Sequence, residues 1–469
     1  MNKDNFLKKR KLSRCYRLFL FFIVISVEGA MNISSGLLSS ATKEIKKSLN
    51  MNDAKFGMFG TANGIGRVIG SMLFGMYNLK CSRKWIQTAS VGFHALFLLI
   101  FNLTNNGNIL ICMRGLTGLT QMPPSIYCCV WIDQYGISAF KTIQITAVQL
   151  FQTSGKCTGY FLNMFFGLDN WKKGFALEAV YLFFCSFCCL ISSEDYFSRI
   201  LFPKHLKENN KNNNNKENNE NRISSTIFEV NDSFYRNKDK KETFFDDLLI
   251  LCCHSLYLIS MLSRCILHGL NTCLHFWLGD FIRNVIKEDN QLKVTICYSI
   301  ICFAGPFGGI IFNTILRPII GGYEKRSASW PLVYIQIIAS LLAISIGFMG
   351  STFSVCIITI LYLIFNSSAL PMVQGILISC VDPELAATGF AVASILTQSI
   401  FAGVTPYLYG VINDRFKDKY PWLAMVSVMS LQFVAVPLLI ILAILRNKKF
   451  DEEEKEDEEE KEDEHELIE

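Results

Sequence analysis

Three features of this 469-residue chain predict an all-α polytopic membrane protein, about twelve transmembrane helices in two pseudo-symmetric six-helix halves. First, only 18% of residues are charged and 51% are hydrophobic, with mean hydropathy +0.30, whereas a soluble domain carries about 25% charged residues. Second, apolar runs long enough to cross a hydrocarbon core of about 30 Å follow one another along the chain. Third, the first and second sets of runs match weakly but in order. A string of soluble domains is excluded, because so uncharged a surface does not stay in water.

The first six spans are expected near Tyr16 to Ser39, Phe56 to Leu79, Ile86 to Leu103, Ile109 to Trp131, Ile143 to Phe166 and Phe175 to Ile191. The second six fall near Leu248 to Phe276, Leu292 to Ile315, Trp330 to Met349, Phe353 to Ile378, Leu385 to Val411 and Trp422 to Leu445. The first span is too long for a cleaved signal sequence and is interrupted by Glu28 and Asn32, so it reads as a retained helix. The organisation is then a basic N-terminus (1–15), an N-terminal half (16–195), a linker (196–243), a C-terminal half (244–446) and an acidic tail (447–469). Nine of the thirteen residues from Asn209 to Asn221 are Asn, a composition with nothing to bury, and the linker is expected to be disordered.

The few charges are clumped. Phe450 to Glu469 holds 14 of the 40 acidic residues, about −12 net, so the rest of the chain carries about +17. Lys and Arg concentrate before the first span, at Lys80 to Lys84, in the linker, at Arg317 to Arg326 and at Arg446 to Lys449. That distribution places both termini and the linker in the cytosol. Two clusters on the outer side, Lys43 to Lys55 and Arg415 to Lys419, run against the bias. Most of the 17 cysteines lie inside predicted spans, with no His or carboxylate at ligand spacing, so they read as small apolar packing groups rather than a metal site. No cofactor is expected, nor any nucleic-acid partner. A phosphate-binding loop of the G-x-x-x-x-G-K-[ST] type is absent, which argues against direct ATP drive. The lack of any hydrolytic constellation argues against an enzyme.

The repeat is carried by particular residues. Glu28-Gly29-Ala30-Met31-Asn32 in the first helix corresponds to His268-Gly269-Leu270-Asn271 in the seventh. Gly57 to Gly75 leading into Arg83-Lys84 corresponds to Gly305 to Gly309 leading into Lys325-Arg326. Gln152 to Tyr160 and Gly167-Leu168-Asp169 parallel Gln398 to Tyr407 and Gly410 to Asp414. Parallel six-helix halves are the architecture of alternating-access carriers, with a binding site near the midplane.

The segment Gly75-Met76-Tyr77-Asn78-Leu79-Lys80-Cys81-Ser82-Arg83-Lys84 resembles the loop motif between helices two and three of the major facilitator superfamily, roughly G-x-x-x-D-x-x-G-R-K. Leu79 stands where the acid is usual and Ser82 where the later glycine is. Arg114-Gly115-Leu116-Thr117-Gly118-Leu119-Thr120-Gln121 and the stretch Phe401 to Asp414 are similar to Spinster-type carriers, in which a Glu implicated in proton coupling stands at the position of Gln121. The resemblance implies the twelve-helix fold, a cavity lined by helices one, four, five and seven, and gating residues near the loop motif.

Ionisable groups inside a membrane usually line a cavity or pair with one another. Glu28 and Asn32 share a face of the first helix. Arg264, His268, Asn271 and His275 share one on the seventh, and Gln149, Gln152, Lys156, Tyr160 and Asn163 one on the fifth. Arg114 lies two turns from Gln121 on the fourth. Apart from Tyr160 and Asn163, and with Gln374 and Gln398 added, these are the candidate substrate-binding residues; interhelical hydrogen bonding that holds the bundle together is the competing reading. Arg67, Asn78, Arg83 and Lys84 are the gating candidates, and Glu178 reads as interfacial. Glu28 and His268, at equivalent repeat positions, are the proton-coupling candidates, a structural role being the alternative.

Three cations, Arg114, Lys156 and Arg264, face one anion, Glu28, which favours an organic anion or a zwitterion as substrate. The function expected is a secondary active transporter, a symporter or antiporter, of a small organic solute. The alternatives are a drug or lysolipid exporter and a membrane sensor that keeps the carrier fold without transporting. A monomer in the plasma membrane or an endosomal or vacuolar membrane is expected. Asp463-Glu464-His465-Glu466-Leu467-Ile468 resembles an acidic dileucine signal that a sorting adaptor would read.

Overall fold

The computed structural model describes residues 14–77, 82–135, 141–192, 244–320, 326–381, 389, 392–393, 395–397 and 401–466. The first span is two helices, α1 (Arg14–Ala30) and α2 (Ile33–Ser40), joined by a bend at Met31 and Asn32. A short α3 (Thr42–Leu49) follows, then α4 (Asp53–Tyr77), α5 (Arg83–Leu103), α6 (Gly107–Tyr135), α7 (Lys141–Phe166) and α8 (Trp171–Ile191). The second half holds α9 (Phe244–Cys253), α10 (Ser255–Asn284), α11 (Gln291–Ile320), α12 (Ser329–Gly347) and α13 (Thr352–Ser379). It closes with α14 (Ala402–Phe416), α15 (Leu423–Met429) and α16 (Gln432–Glu466). The described residues contain no strand.

Counting α1–α2 and α15–α16 as single crossings, the described helices fall on the expected spans, the eleventh of which, Leu385 to Val411, lies mostly outside the described residues and is seen as α14 from Ala402 on. Two expectations shift. The seventh crossing begins at a cap, where the His254 ring accepts from the Tyr257 N–H at 3.3 Å, and runs on to Asn284 rather than stopping at Phe276. The last helix does not stop at the membrane but continues unbroken through the acidic stretch to Glu466.

The halves repeat in three dimensions. In the first, α4 packs on α6, α2 on α7, α5 on α8 and α5 on α6. The second repeats this set as α11 on α13, α10 on α14, α12 on α16 and α12 on α13. Between the halves α4 lies along α14 and α7 along α11, two contacts that the same symmetry relates, and α2 meets α10.

Composition explains which helices meet. Among the described residues, seven stretches are long and apolar enough to cross a membrane on that basis alone, and they are crossings one, three, six, eight, nine, ten and twelve. Crossings two, four, five and seven carry Arg67, Arg114, Lys156, Arg264 and His268, and the described part of the eleventh packs on two of them. Residues costly to expose to lipid are thereby turned toward other helices.

Close approach depends on glycine. A side chain at Gly155 would run into the Gly29 carbonyl oxygen of α1, one at Gly36 into the Lys156 carbonyl of α7, and one at Gly66 into the Gly115 carbonyl of α6. These are small-residue seams of the kind that bring membrane helices into backbone contact. Gly155→Val should therefore destabilise the fold by ~3 kcal/mol or more, as overpacking against backbone does. Gly350→Ala, in a loop where nothing lies within 4 Å of the added carbon, should leave the melting temperature of the solubilised protein unchanged.

Candidate functional site

The seam between α1–α2 and α7 sets Glu28 opposite Gln152. One carboxylate oxygen of Glu28 accepts from Gln152 Nε2 at 2.8 Å and from Ser125 Oγ on α6 at 3.0 Å, and the other has no partner among the described residues. Glu28 is 1% exposed. Asn32 turns its amide back to the Glu28 carbonyl at 2.8 Å, so it holds the helix bend rather than reaching the centre.

Across from Glu28, Arg67 on α4 donates to Gln121 Oε1 on α6 at 3.0 Å and lies in electrostatic reach of the Glu28 carboxylate. Lys156, one turn beyond Gln152, feels Arg67 as well. From the second half, α10 brings His268, which is in reach of Arg264, Arg67 and Lys156 at once. Its Nδ1 atom and the Asn271 Oδ1 atom have no partner among the described residues.

Arg67, Gln152, Lys156, Arg264, His268 and Asn271 are all partly accessible to solvent. Yet Arg67, Lys156 and His268 stand deep among protein atoms. Depth together with partial accessibility means that they line an internal space between the halves. His275, deeper, sets Nδ1 at 3.6 Å from Cys302 Sγ on α11, and its carbonyl accepts from Ser39 at 3.2 Å and Tyr298 at 3.3 Å.

Several candidates take other places. Arg114 is not at this centre: its guanidinium donates to Ser34 at 2.9 Å and Ser35 at 2.8 Å, and its charge acts on Glu178 beside Ser34. Glu178, read from the sequence as interfacial, is 1% exposed. The two tie α6 and α8 to α2 inside the first half. Arg67, expected near the loop motif as a gating group, stands with the central residues instead. Arg83 and Lys84 open α5 at the end of the bundle where α1 begins, and Gln374 is half-buried on α13. Asn78 and Gln398 lie outside the described residues, as does the side chain of Gln149.

A second polar layer, absent from the sequence reading, spans the end of the bundle opposite the start of α1. Asp414, at the end of α14, accepts from the backbone N–H groups of Asp53 and Ala54, each at 2.7 Å. A carboxylate from one half thus caps the free N-terminus of α4 in the other, where the helix dipole favours negative charge. The Asp53 carboxylate accepts from Asn413 and Lys417, each at 3.1 Å, and pairs with Lys46, which reaches on to Asp280 at 3.2 Å. Glu44 and Arg283 add a pair at 3.5 Å. Beneath this lattice Tyr160 of α7 stacks on Tyr298 of α11 with centroids 3.7 Å apart. Among the described residues, the side-chain bonds that join the halves all fall between this lattice and the middle of the bundle. The charge clusters at Lys43 to Lys55 and Arg415 to Lys419, anomalous for loop orientation, were the sequence signal for it.

The family follows from fold and sequence together: the model of the Major Facilitator Superfamily matches residues 20–406. The chain belongs to that superfamily. It is accordingly a multi-pass membrane transporter and not an enzyme. No curated protein matches it in sequence. Among solved structures it is similar to a bacterial homologue of the human lysosomal transporter Spinster in an inward-facing, unoccupied conformation. That match has TM-score 0.64 and 13% identity, over 92% of this chain and 96% of that one. It is also similar to the nucleoside transporter NupG (TM-score 0.62, 12% identity, 90% and 98% covered) and to a D-xylose–proton symporter (0.63, 12%, 92% and 97%). At these identities the likeness concerns the fold.

The distal lattice has a defined pH response. Burial by itself would raise the Asp53 carboxyl, but Lys46 and then Lys417 overcome it and hold it below its ordinary 3.8. Burial would lower the Lys46 ammonium, and Asp280 and Asp53 hold it above its ordinary 10.5. The contribution of Asp53 is present above 3.8 and lost as pH falls through its lowered value. That of Lys46 is present below 10.5 and lost as pH rises through its raised value. Closure should therefore not vary between about pH 5 and about pH 9. Asp414→Asn should raise labelling of a Ser39→Cys reporter by an impermeant maleimide ~10-fold, because hydrogen bonds to a charged group contribute about 1.5–3 kcal/mol.

Proposed function

We propose that the protein carries a small organic anion, or a zwitterion with an anionic group, by alternating access through the space between its halves. The observation that carries this reading is the charge balance at the centre. Arg67, Lys156 and Arg264 all lie in electrostatic reach of His268, and the one carboxylate near them, Glu28, is in reach of Arg67 and already accepts two hydrogen bonds on one oxygen. An excess of fixed cations in a space of low dielectric is best offset by an anionic ligand, and guanidinium groups suit carboxylate or phosphate oxygens. Arg67 replaces Arg114 in this set.

With the termini in the cytosol, as the Lys/Arg distribution favours, the lattice at Asp53 and Asp414 is an outer gate and the state described is inward-facing. Coupling to protons rests on Glu28 and His268, both in electrostatic reach of Arg67. Each has a carboxylate or ring atom without a partner among the described residues. Protonation of Glu28 would release Gln152 and Ser125 from the carboxylate and raise the net positive charge felt by a bound anion.

Uptake into vesicles of labelled anions, cations, neutral solutes and lysolipids, with and without a pH gradient, tests the reading. An anion should be preferred, and Arg67→Ala, Lys156→Ala and Arg264→Ala should each lower its uptake ~10- to 100-fold, the loss expected for a charge-assisted hydrogen bond. Preference for a cation or a lysolipid, or three variants with unchanged uptake, would sink the anion assignment. Glu28→Gln should abolish the pH dependence; an unaltered pH profile removes Glu28 as the proton carrier.

A further inference from the structure

Of the seventeen cysteines, two meet across the division between the halves. Cys157 on α7 and Cys302 on α11 lie where these two helices pack together, and their thiols are in interaction range of each other. One helical turn away along each helix, Tyr160 and Tyr298 stack at 3.7 Å with their planes 14° apart, which fixes the register of α7 against α11 at this depth. Cys302 is also held from its own half, by the His275 ring at 3.6 Å. Neither thiol faces lipid: Cys157 is 3% exposed and Cys302 is fully buried. Lys156, next in the chain to Cys157 and partly accessible from the internal space, places a positive charge in electrostatic reach of both sulfur atoms. The remaining cysteines show no comparable arrangement across the halves among the described residues. Cys297 and Cys356, which also lie close together, are both in the second half.

We infer that Cys157 and Cys302 form an oxidisable clasp between the two halves, a disulfide site that locks the carrier with its distal end closed. The step balances with a peroxide as oxidant. The Cys157 thiolate, the nucleophilic form, attacks one peroxide oxygen; the O–O bond breaks and water leaves, giving a sulfenic acid. The Cys302 sulfur then attacks that sulfur, expelling its oxygen as a second water and forming the S–S bond. Both thiol protons end in water, and the two electrons removed from sulfur reduce the peroxide. Outward opening has to separate α7 from α11 at this depth, so the bond holds the molecule in one of its two states. A thiol reductant reverses it by exchange.

The test reads covalent linkage and needs no knowledge of the substrate, so it stands or falls separately from the anion assignment. A protease site is inserted at Asn213 in the linker of the full-length protein. Membranes are treated with hydrogen peroxide, quenched with an alkylating reagent and cleaved. The halves should run as one species without reductant and as two with it, and mass spectrometry should find the peptide joined through Cys157 and Cys302. Cys302→Ser and Cys157→Ser should each lower the joined fraction ~10-fold or more, while Cys356→Ser leaves it unchanged. A Ser39→Cys reporter should lose outer-side labelling after oxidation and regain it on reduction. Halves that separate without reductant, or that stay joined in Cys302→Ser, overturn the inference.

Discussion

A charge at the centre of a bilayer has to be turned away from hydrocarbon, and most of this structure follows from that requirement. Crossings two, four, five and seven carry Arg67, Arg114, Lys156, Arg264 and His268, and the first crossing, apolar enough by composition to cross alone, still brings Glu28 to them. Bringing these groups together between the halves keeps them from the lipid. The hydrophobic effect cannot draw helices together inside a bilayer, so the approach depends on backbone packing. Gly29, Gly36 and Gly155 supply it between α1–α2 and α7, and Gly66 and Gly115 between α4 and α6. The seams set Glu28 opposite Gln152 and Arg67 opposite Gln121.

Two polar layers result, and they differ in their relation to water. The central one is loosely satisfied: among the described residues Glu28, His268 and Asn271 retain atoms without partners, and its cations outnumber its anion. The distal one is densely bonded, with Asp53, Asp280 and Asp414 answered by Lys46, Lys417, Asn413 and a helix N-terminus. An under-satisfied layer leaves bonds for a ligand to make, whereas a satisfied one holds a surface shut. The stacked pair of Tyr160 and Tyr298 stands between them, and the thiol pair lies beside it on the central side.

The stripe on α7 was legible because helical spacing puts Gln152 and Lys156 on one face whatever packs there. Arg114 shows the limit of the same argument. It shares a face with Gln121, but it lies about 10 Å nearer the distal end at 1.5 Å per residue, where α2 and α8 close over it and Ser34, Ser35 and Glu178 take it up. Arg67 was read by its nearness in sequence to the loop motif, yet ten residues of helix separate it from that end. Asp53 and Asp414 could not be paired from sequence, since more than three hundred residues lie between them; only the unexpected charge of their loops marked them out.

The sequence by itself determined the class, the number of crossings, the repeat and the inventory of intramembrane charges, because bilayer thickness and the cost of burying charge act on each segment locally. Tertiary structure alone decided which charges share a space. It exchanged Arg114 for Arg67 at the centre, buried Glu178, and joined Asp414 to the start of α4. Those outcomes depend on depth along each helix and on contacts between halves, and neither is encoded in the periodicity of any single span.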